Sequence, residues 1–199
     1  DGTWNTLIVG FTNNAGGVVN VSNGSVMNAT FGGFNNAGTI NATGNSTLNG
    51  ALVNNGTINL VGAAGTANIN AAPVVTNTYA GNGTINPGTI NLTSGTSNQL
   101  RVGSASGNIN VVYGVTGGGF TGLIPIVVAT NGTNTATGAS GTNGFFDYSI
   151  EGPHTANNST NNTDLFVRPA AAPATAPLTS ILSTISAIDA SFHQPGGNL

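Results

Sequence analysis

The chain has 199 residues, only 4% of which are charged, and its two basic residues are Arg101 and Arg168. A phosphate-binding surface needs clustered Lys and Arg, so this composition excludes nucleic acid as a partner. The absence of cysteine excludes a disulfide framework and a thiolate metal site, whereas 38% hydrophobic residues suffice for a packed core.

The first segment, residues 1–78, is rich in Asn, Gly and Thr and repeats a unit of Gly, Thr or Val, Ile or Val, and Asn. Its units begin at Gly17, Gly38 and Gly56, and the next begins at Gly83, so the spacing drifts between 18 and 27 residues. Gly, Asn and Thr are poor helix formers but good turn formers. A drifting period of about 20 residues predicts a solenoid of short strands separated by turns.

We predict an all-β fold, a right-handed parallel β-helix, with roughly eight rungs stacked about 4.8 Å apart. Stacking places identical residues above one another, so Asn columns can hydrogen-bond along the rod. The same argument places the apolar residue of each unit inside. The predicted core of the repeats is Ile40, Ile58, Ile85 and Ile90.

Residues 79–169 hold the densest hydrophobic clusters and contain short strands in which residues two apart are apolar. The predicted inward-facing residues are Leu100, Val102, Ile124, Ile126, Val128, Phe146, Tyr148, Ile150, Leu165 and Val167. Gly-rich connections separate the later strands, as hairpins require. Because the last rung of a β-helix has an open edge that invites aggregation, we predict that these hairpins cap the β-helix.

Residues 170–199 begin with an Ala/Pro linker and continue as the one predicted helix, which starts near Pro177. Its apolar residues form a stripe along one face. They are Leu178, Ile181, Leu182, Ile185, Ile188 and Phe192. With about 16 residues the helix is near the lower limit for stability in water, so we expect its stripe to need a partner.

The order of these segments resembles the C-terminal part of the passenger of a bacterial autotransporter, the monomeric type V secretion family. The resemblance rests on the Asn-Gly-Thr-Ile-Asn rungs, on the ordered block from Asn98-Gln99-Leu100 to Leu165-Phe166-Val167, and on a helix after an Ala/Pro linker. The block looks like the family's autochaperone region, and the helix stands where a segment threads the barrel pore. The family often has Asp where Asn98 stands, and Trp or Tyr near Leu165-Phe166.

The resemblance implies a secreted protein on the bacterial cell surface, tethered to the outer membrane by its own C-terminal β-barrel. The sequence has no signal peptide at its start and no barrel strands at its end, so we expect a part of a longer protein. The resemblance further implies that the C-terminal block nucleates β-helix folding during translocation.

Titratable residues that could support catalysis or bind a metal are few. Asp147 and Glu151 flank one predicted strand and His154 follows within a turn, a set that could hold a metal or act as acid and base. Carboxylates that simply face solvent explain the same pattern, and no Gly-x-Ser-x-Gly motif occurs. The remaining candidates are Asp1, Asp164, Asp189 and His193, the last at the end of the predicted helix. We therefore predict a protein without catalytic activity, cofactor or metal.

Three function classes follow from these patterns. The first is a structural stem that assists its own folding and secretion. The second is an adhesin or self-association module that binds a second copy or a host surface through exposed Asn and Thr ladders. The third, an ice-binding solenoid, requires a regular Thr-x-Thr array, and the one such run, Thr133 to Thr137, lies in a Gly-rich loop.

Overall fold

The computed structural model describes residues 2–5, 10–72, 77–117, 124–129, 137–138, 141–143, 146–154 and 164–169. Every regular element among these residues is a β-strand, and none is a helix that could cross a membrane. The strands are β1 Thr3–Asn5, β2 Phe11–Asn13, β3 Val18–Val21, β4 Val26–Asn28, β5 Phe34–Asn36, β6 Thr39–Thr43, β7 Asn45–Asn49, β8 Leu52–Asn54, β9 Thr57–Val61, β10 Asn68–Ala72, β11 Thr78–Ala80, β12 Thr84–Asn91, β13 Gln99–Val102, β14 Ser104–Ala105, β15 Asn108–Thr116, β16 Ile124–Ala129, β17 Thr137–Gly138, β18 Gly141–Asn143, β19 Phe146–His154 and β20 Asp164–Pro169.

These strands build three sheets, and each strand from β1 to β13 pairs in parallel with the strand three elements later. Sheet A begins β1-β4-β7-β10-β13-β16, sheet B is β2-β5-β8-β11-β14, and sheet C is β3-β6-β9-β12-β15-β17. Each coil of the chain contributes one strand to each sheet, which confirms the predicted parallel β-solenoid. The described residues form about 5 coils instead of the eight expected, because coil length varies between 18 and 31 residues.

Alternating side chains explain why the repeat unit folds as a strand. In β6 and in β9 the burial alternates, so the Ile points inward while the flanking Thr and Asn point outward. Register is kept from coil to coil, so Ile40 lies on Ile58 and Ile58 on Ile85. All three are buried. Each contributes roughly 1.5–3 kcal/mol by transfer out of water.

The other two sheets supply matching columns to the same core. In sheet B, Phe34 lies between Phe11 and Leu52, and Tyr79 follows Leu52. The rings of Phe11 and Phe34 are tilted by 54° with centroids 6.0 Å apart, a favourable arrangement for an aromatic pair. The sheets continue through Tyr79, so parallel coils extend across the predicted boundary at residues 78 and 79.

The C-terminal end of sheet A changes its strand direction. Strand β16 pairs in parallel with β13 on one side and antiparallel with β20 on the other. Strands β19 and β18 then add in antiparallel order. The predicted hairpin cap is confirmed, and it covers the sheet edge that a seventh parallel strand would otherwise extend. The linker and the predicted helix at 170–199, with Leu178, Ile181, Leu182, Ile185, Ile188 and Phe192, lie outside the described residues.

One predicted core position differs. Val128 is half-buried, and Val127 is buried instead, since Val127 lies opposite Leu100 and Val128 opposite Arg101. The reason is an irregularity between Pro125 and Val127 in the pairing with β20, which shifts the alternation by one residue. The other predicted core residues of these coils are buried: Ile90, Leu100, Val102, Ile124 and Ile126. Of the rest, Phe146, Tyr148 and Ile150 lie on β19, and Leu165 and Val167 lie on β20.

Candidate functional site

The stacked coils carry no charge over a long stretch. Residues 2–100 contain no Asp, Glu, Lys, Arg or His. The polar chemistry of these coils is therefore that of amides and hydroxyls. No group of metal-ligating side chains occurs in the part of the chain that the structure describes.

A ladder of buried amides runs along the inner corner between sheets B and C. It consists of Asn13, Asn36 and Asn54, which are at most 6% exposed. Asn13 Nδ2 donates to Asn36 Oδ1 at 2.8 Å, and Asn36 Nδ2 donates to Asn54 Oδ1 at 2.7 Å. Each amide also donates to a backbone carbonyl oxygen; Asn13 Nδ2, for example, donates to Thr39 O, at the start of β6, at 3.1 Å. The ladder thus satisfies polar groups that would otherwise be buried without partners.

The ladder ends on a phenol. Asn54 Nδ2 donates to the hydroxyl oxygen of Tyr79 at 3.2 Å, and Tyr79 is fully buried. Burial raises the pKa of Tyr79 to about 12, and the hydrogen bond from Asn54 partly opposes this rise. The ladder therefore ends at a side chain that is neutral at physiological pH.

We expect Asn36→Ala to destabilise the protein by about 2–4 kcal/mol, because Asn13 and Asn54 would each lose a buried partner. Chemical denaturation measures the loss. The matched control is Asn20→Ala. Asn20 is exposed on sheet C, outside the buried ladder, and its Oδ1 accepts from Asn41 Nδ2 at 2.9 Å. That control should cost less than about 1 kcal/mol. Equal losses in the two variants would contradict a structural role for the buried ladder.

Stability should fall at alkaline pH. A Tyr whose pKa is about 12 in the folded chain and about 10 when unfolded binds its proton more tightly in the fold. Its contribution is therefore complete below pH 10 and is lost as the pH rises from about 10 to about 12. Burial also raises the pKa of Tyr113 to about 12. The Tyr113→Phe variant removes this second phenol and so isolates the contribution of Tyr79 to the pH dependence. Urea unfolding at stepped pH tests this, and an unfolding free energy that stays flat over that range would contradict it.

The recurring glycines stack directly on one another. A Cβ on Gly38 would collide with Gly17 O, one on Gly56 with Gly38 O, and one on Gly83 with Gly56 O. None of these glycines has a positive φ, so the requirement is space and not backbone conformation. The glycine of each unit lets successive turns approach closely beside the amide ladder.

A further buried amide, at Asn98, joins non-adjacent parts of the coils. Asn98 Oδ1 accepts from Thr66 N at 3.0 Å and from Ala67 N at 2.9 Å. Its Nδ2 donates to Leu60 O at 3.2 Å and to Pro87 O at 3.0 Å. An Asp here could not donate to these carbonyls, which explains in physical terms why this chain has Asn. Sequence reasoning named Asn98 but missed this role, because its partners lie up to 38 residues away.

The outer face of sheet C presents a regular polar array, here named the Thr/Asn face. Its first column is Thr39, Thr57 and Thr84, and its second is Asn20, Asn41, Asn59 and Asn86. Asn59 Nδ2 donates to Asn41 Oδ1 at 2.8 Å, which fixes the orientation of the amides. Neighbouring rungs repeat at about 4.8 Å, and Thr and Asn within a rung lie about 6.6 Å apart. The face is an uncharged, ordered set of hydrogen-bonding groups.

A cavity of about 440 Å³ lies at the first coil, among β1 to β4. It is lined largely by apolar side chains, including Phe11, Val19, Val21 and Met27. None of the described residues that line it has a titratable side chain, so these residues supply no general acid or base.

The titratable residues named from the sequence are placed as follows. Asp147, Glu151 and His154 all lie on β19, and Asp164 on β20 is the cross-strand partner of His154. Asp1, Asp189 and His193 lie outside the described residues.

No protein-family model matches the chain, and no curated protein matches it. The architecture and its surface are therefore the basis on which a function is assigned.

Proposed function

We propose that this chain is the non-enzymatic stem of a surface-exposed autotransporter passenger, and that its C-terminal block assists folding during secretion. Its partner would be its own outer-membrane β-barrel, which would tether it to the bacterial surface. The observation that carries the proposal is the change of sheet A from parallel to antiparallel pairing at β16. That change falls within the sequence block that resembles an autochaperone region.

Physical reasoning supports a nucleus at this end. A parallel coil must close long-range contacts before it is stable, which makes its first coil slow to form. Antiparallel strands such as β18 and β19 pair through short connections, so they form at a lower entropic cost. Once β16 is held, each further coil adds by stacking on its neighbour.

The experiment compares two matched truncations of the core in refolding kinetics. Ile109 in the fifth coil and Ile40 in the second are both buried, and each is replaced by Val. If the C-terminal end nucleates, Ile109→Val slows refolding, while Ile40→Val mainly speeds unfolding. The reverse assignment would overturn the proposal and make the C-terminal strands a passive cap. Leu100→Ala and Leu48→Ala, also both buried, repeat the comparison in sheet A with a larger loss of stability.

A second function, adhesion or self-association, is favoured by the Thr/Asn face. Its columns keep register and carry no charge, so two such faces can approach without electrostatic repulsion. We expect weak association at high concentration in sedimentation, lost in Thr57→Lys. Thr12→Lys, which adds the same charge to exposed Thr12 on sheet B, should still associate. A wild-type protein that stays monomeric at the highest attainable concentration would rule out self-association.

A further inference from the structure

The turns between strands contain several Asn-Gly pairs, a sequence that is chemically labile. The chain has six such pairs, and three of them are Asn23-Gly24, Asn55-Gly56 and Asn82-Gly83. Glycine has no Cβ to hinder its own backbone nitrogen, so this nitrogen readily reaches the side chain of the preceding Asn. The Asn residues of these three pairs are solvent-exposed, so burial does not protect them.

The reaction is an internal displacement followed by hydrolysis. The Gly nitrogen attacks Cγ of Asn and forms a C–N bond, the Cγ–Nδ2 bond breaks, and ammonia leaves with the proton that the Gly nitrogen gives up. Water then opens the cyclic imide at either carbonyl and yields Asp or isoaspartate. No oxidant or cofactor is needed, so the rate depends on whether the two atoms can meet.

The fold engages the Gly nitrogen of each of these pairs in a hydrogen bond. The Gly nitrogens donate to a neighbouring coil: Gly24 to Asn45 O at 2.8 Å, Gly56 to Asn36 O at 3.0 Å and Gly83 to Asn54 O at 2.9 Å. A nitrogen whose proton is held by a carbonyl is a poor nucleophile, and turning it toward Cγ would break that hydrogen bond.

The side-chain amides are anchored as well, each by the coil that follows. Asn23 Oδ1 accepts from Asn45 N at 3.0 Å, Asn55 Oδ1 from Asn82 N at 3.2 Å, and Asn82 Oδ1 from Asn108 N at 2.9 Å. Both halves of each Asn-Gly pair are thus tied to adjoining coils, and separation of those coils frees both at once.

We propose that Asn23, Asn55 and Asn82 are latent deamidation sites, inert while the coils are stacked and reactive once they separate. The product also blocks recovery. Isoaspartate lengthens the main chain by one carbon, which breaks the register on which the glycine column and the amide ladder depend. Either product places a negative charge in a stretch that has none. Unfolding of a coil is thereby recorded as a covalent change.

The test incubates the whole protein at neutral pH, folded and in concentrated urea, and maps peptides by mass spectrometry. A synthetic peptide of residues 54–58 gives the intrinsic rate for Asn55. The three sites should deamidate more than about ten-fold more slowly in the folded protein than in urea, since coil opening is rare. A folded-state rate equal to that in urea or in the peptide would overturn the proposal.

A variant tests the role of stacking directly. Asn36→Ala weakens the ladder between the second and third coils and should raise deamidation at Asn55, whereas Asn20→Ala on the outer face should not. A rise in the deamidation rate at all three sites in Asn36→Ala would also support the proposal, because it would indicate that the whole stack of coils opens. A loss of stability in Asn36→Ala with unchanged rates at every site would overturn it.

Discussion

The Ile58→Asp variant is expected to lose its fold around the third coil. Ile58 is fully buried and lies between Ile40 and Ile85 in the central column of sheet C. A carboxylate there would have no polar partner, and its burial costs more than the 5–15 kcal/mol of a typical domain's stability unless it takes up a proton or the coil opens. Thermal unfolding followed by circular dichroism measures the effect.

The control for this variant is the adjacent residue. Thr57 faces outward on the same strand, so Thr57→Asp introduces the same charge in the same coil without burying it. It should change stability by less than about 1 kcal/mol. An unchanged melting temperature in Ile58→Asp, or equal losses in the two variants, would show that the inward and outward sides are misassigned.

The second large effect is expected from a single methyl group. In Gly56→Ala the new Cβ would overlap the backbone carbonyl oxygen of Gly38, which cannot rotate away as a side chain could. The coils would have to separate, at a cost of about 3 kcal/mol or more. That separation would also strain the hydrogen bond from Asn36 to Asn54.

Gly114→Ala is the matched control, since Gly114 is exposed on β15. Its Cβ would meet only Thr89 Oγ1 at 3.6 Å, an ordinary contact distance. Alanine is favoured over glycine in a strand, so this variant should be neutral or more stable by roughly 0.5–1 kcal/mol. Urea denaturation of the two variants side by side measures their free energies of unfolding. A Gly56→Ala protein as stable as Gly114→Ala would contradict close stacking of the turns.

The repeated unit made sheet C predictable, because Gly38, Ile40 and Asn41 recur in register and identical residues stack. Local sequence could not separate Asn54 from Asn55: they are adjacent Asn residues at the end of β8, yet Asn54 is buried in the ladder and Asn55 is exposed. Whether an Asn is buried depends on the side of the chain to which it points, and that side is set by pairing with the neighbouring coils.

Other features depended on contacts that are distant in sequence. The end of the amide ladder at Tyr79 requires Tyr79 to pair with Leu52, a contact across a coil of irregular length. The exchange of Val127 for Val128 in the core follows from pairing with β20, which the sequence of β16 alone does not reveal. A fixed period overestimates the number of coils, because the longest coil has 31 residues.

The way the coils match has a consequence for how genes of this kind can change. Gly38 and Gly56 occupy equivalent positions, and equivalent ladder residues lie 18 apart. Excision of residues 38–55 would therefore bring Gly56 onto Gly17 and Asn36 beneath Tyr79, with every column still aligned. Duplication of the same segment would add a coil just as cleanly. Unequal recombination between such repeats can then change the length of the β-solenoid by whole coils. The antiparallel end and the surface chemistry would remain unchanged.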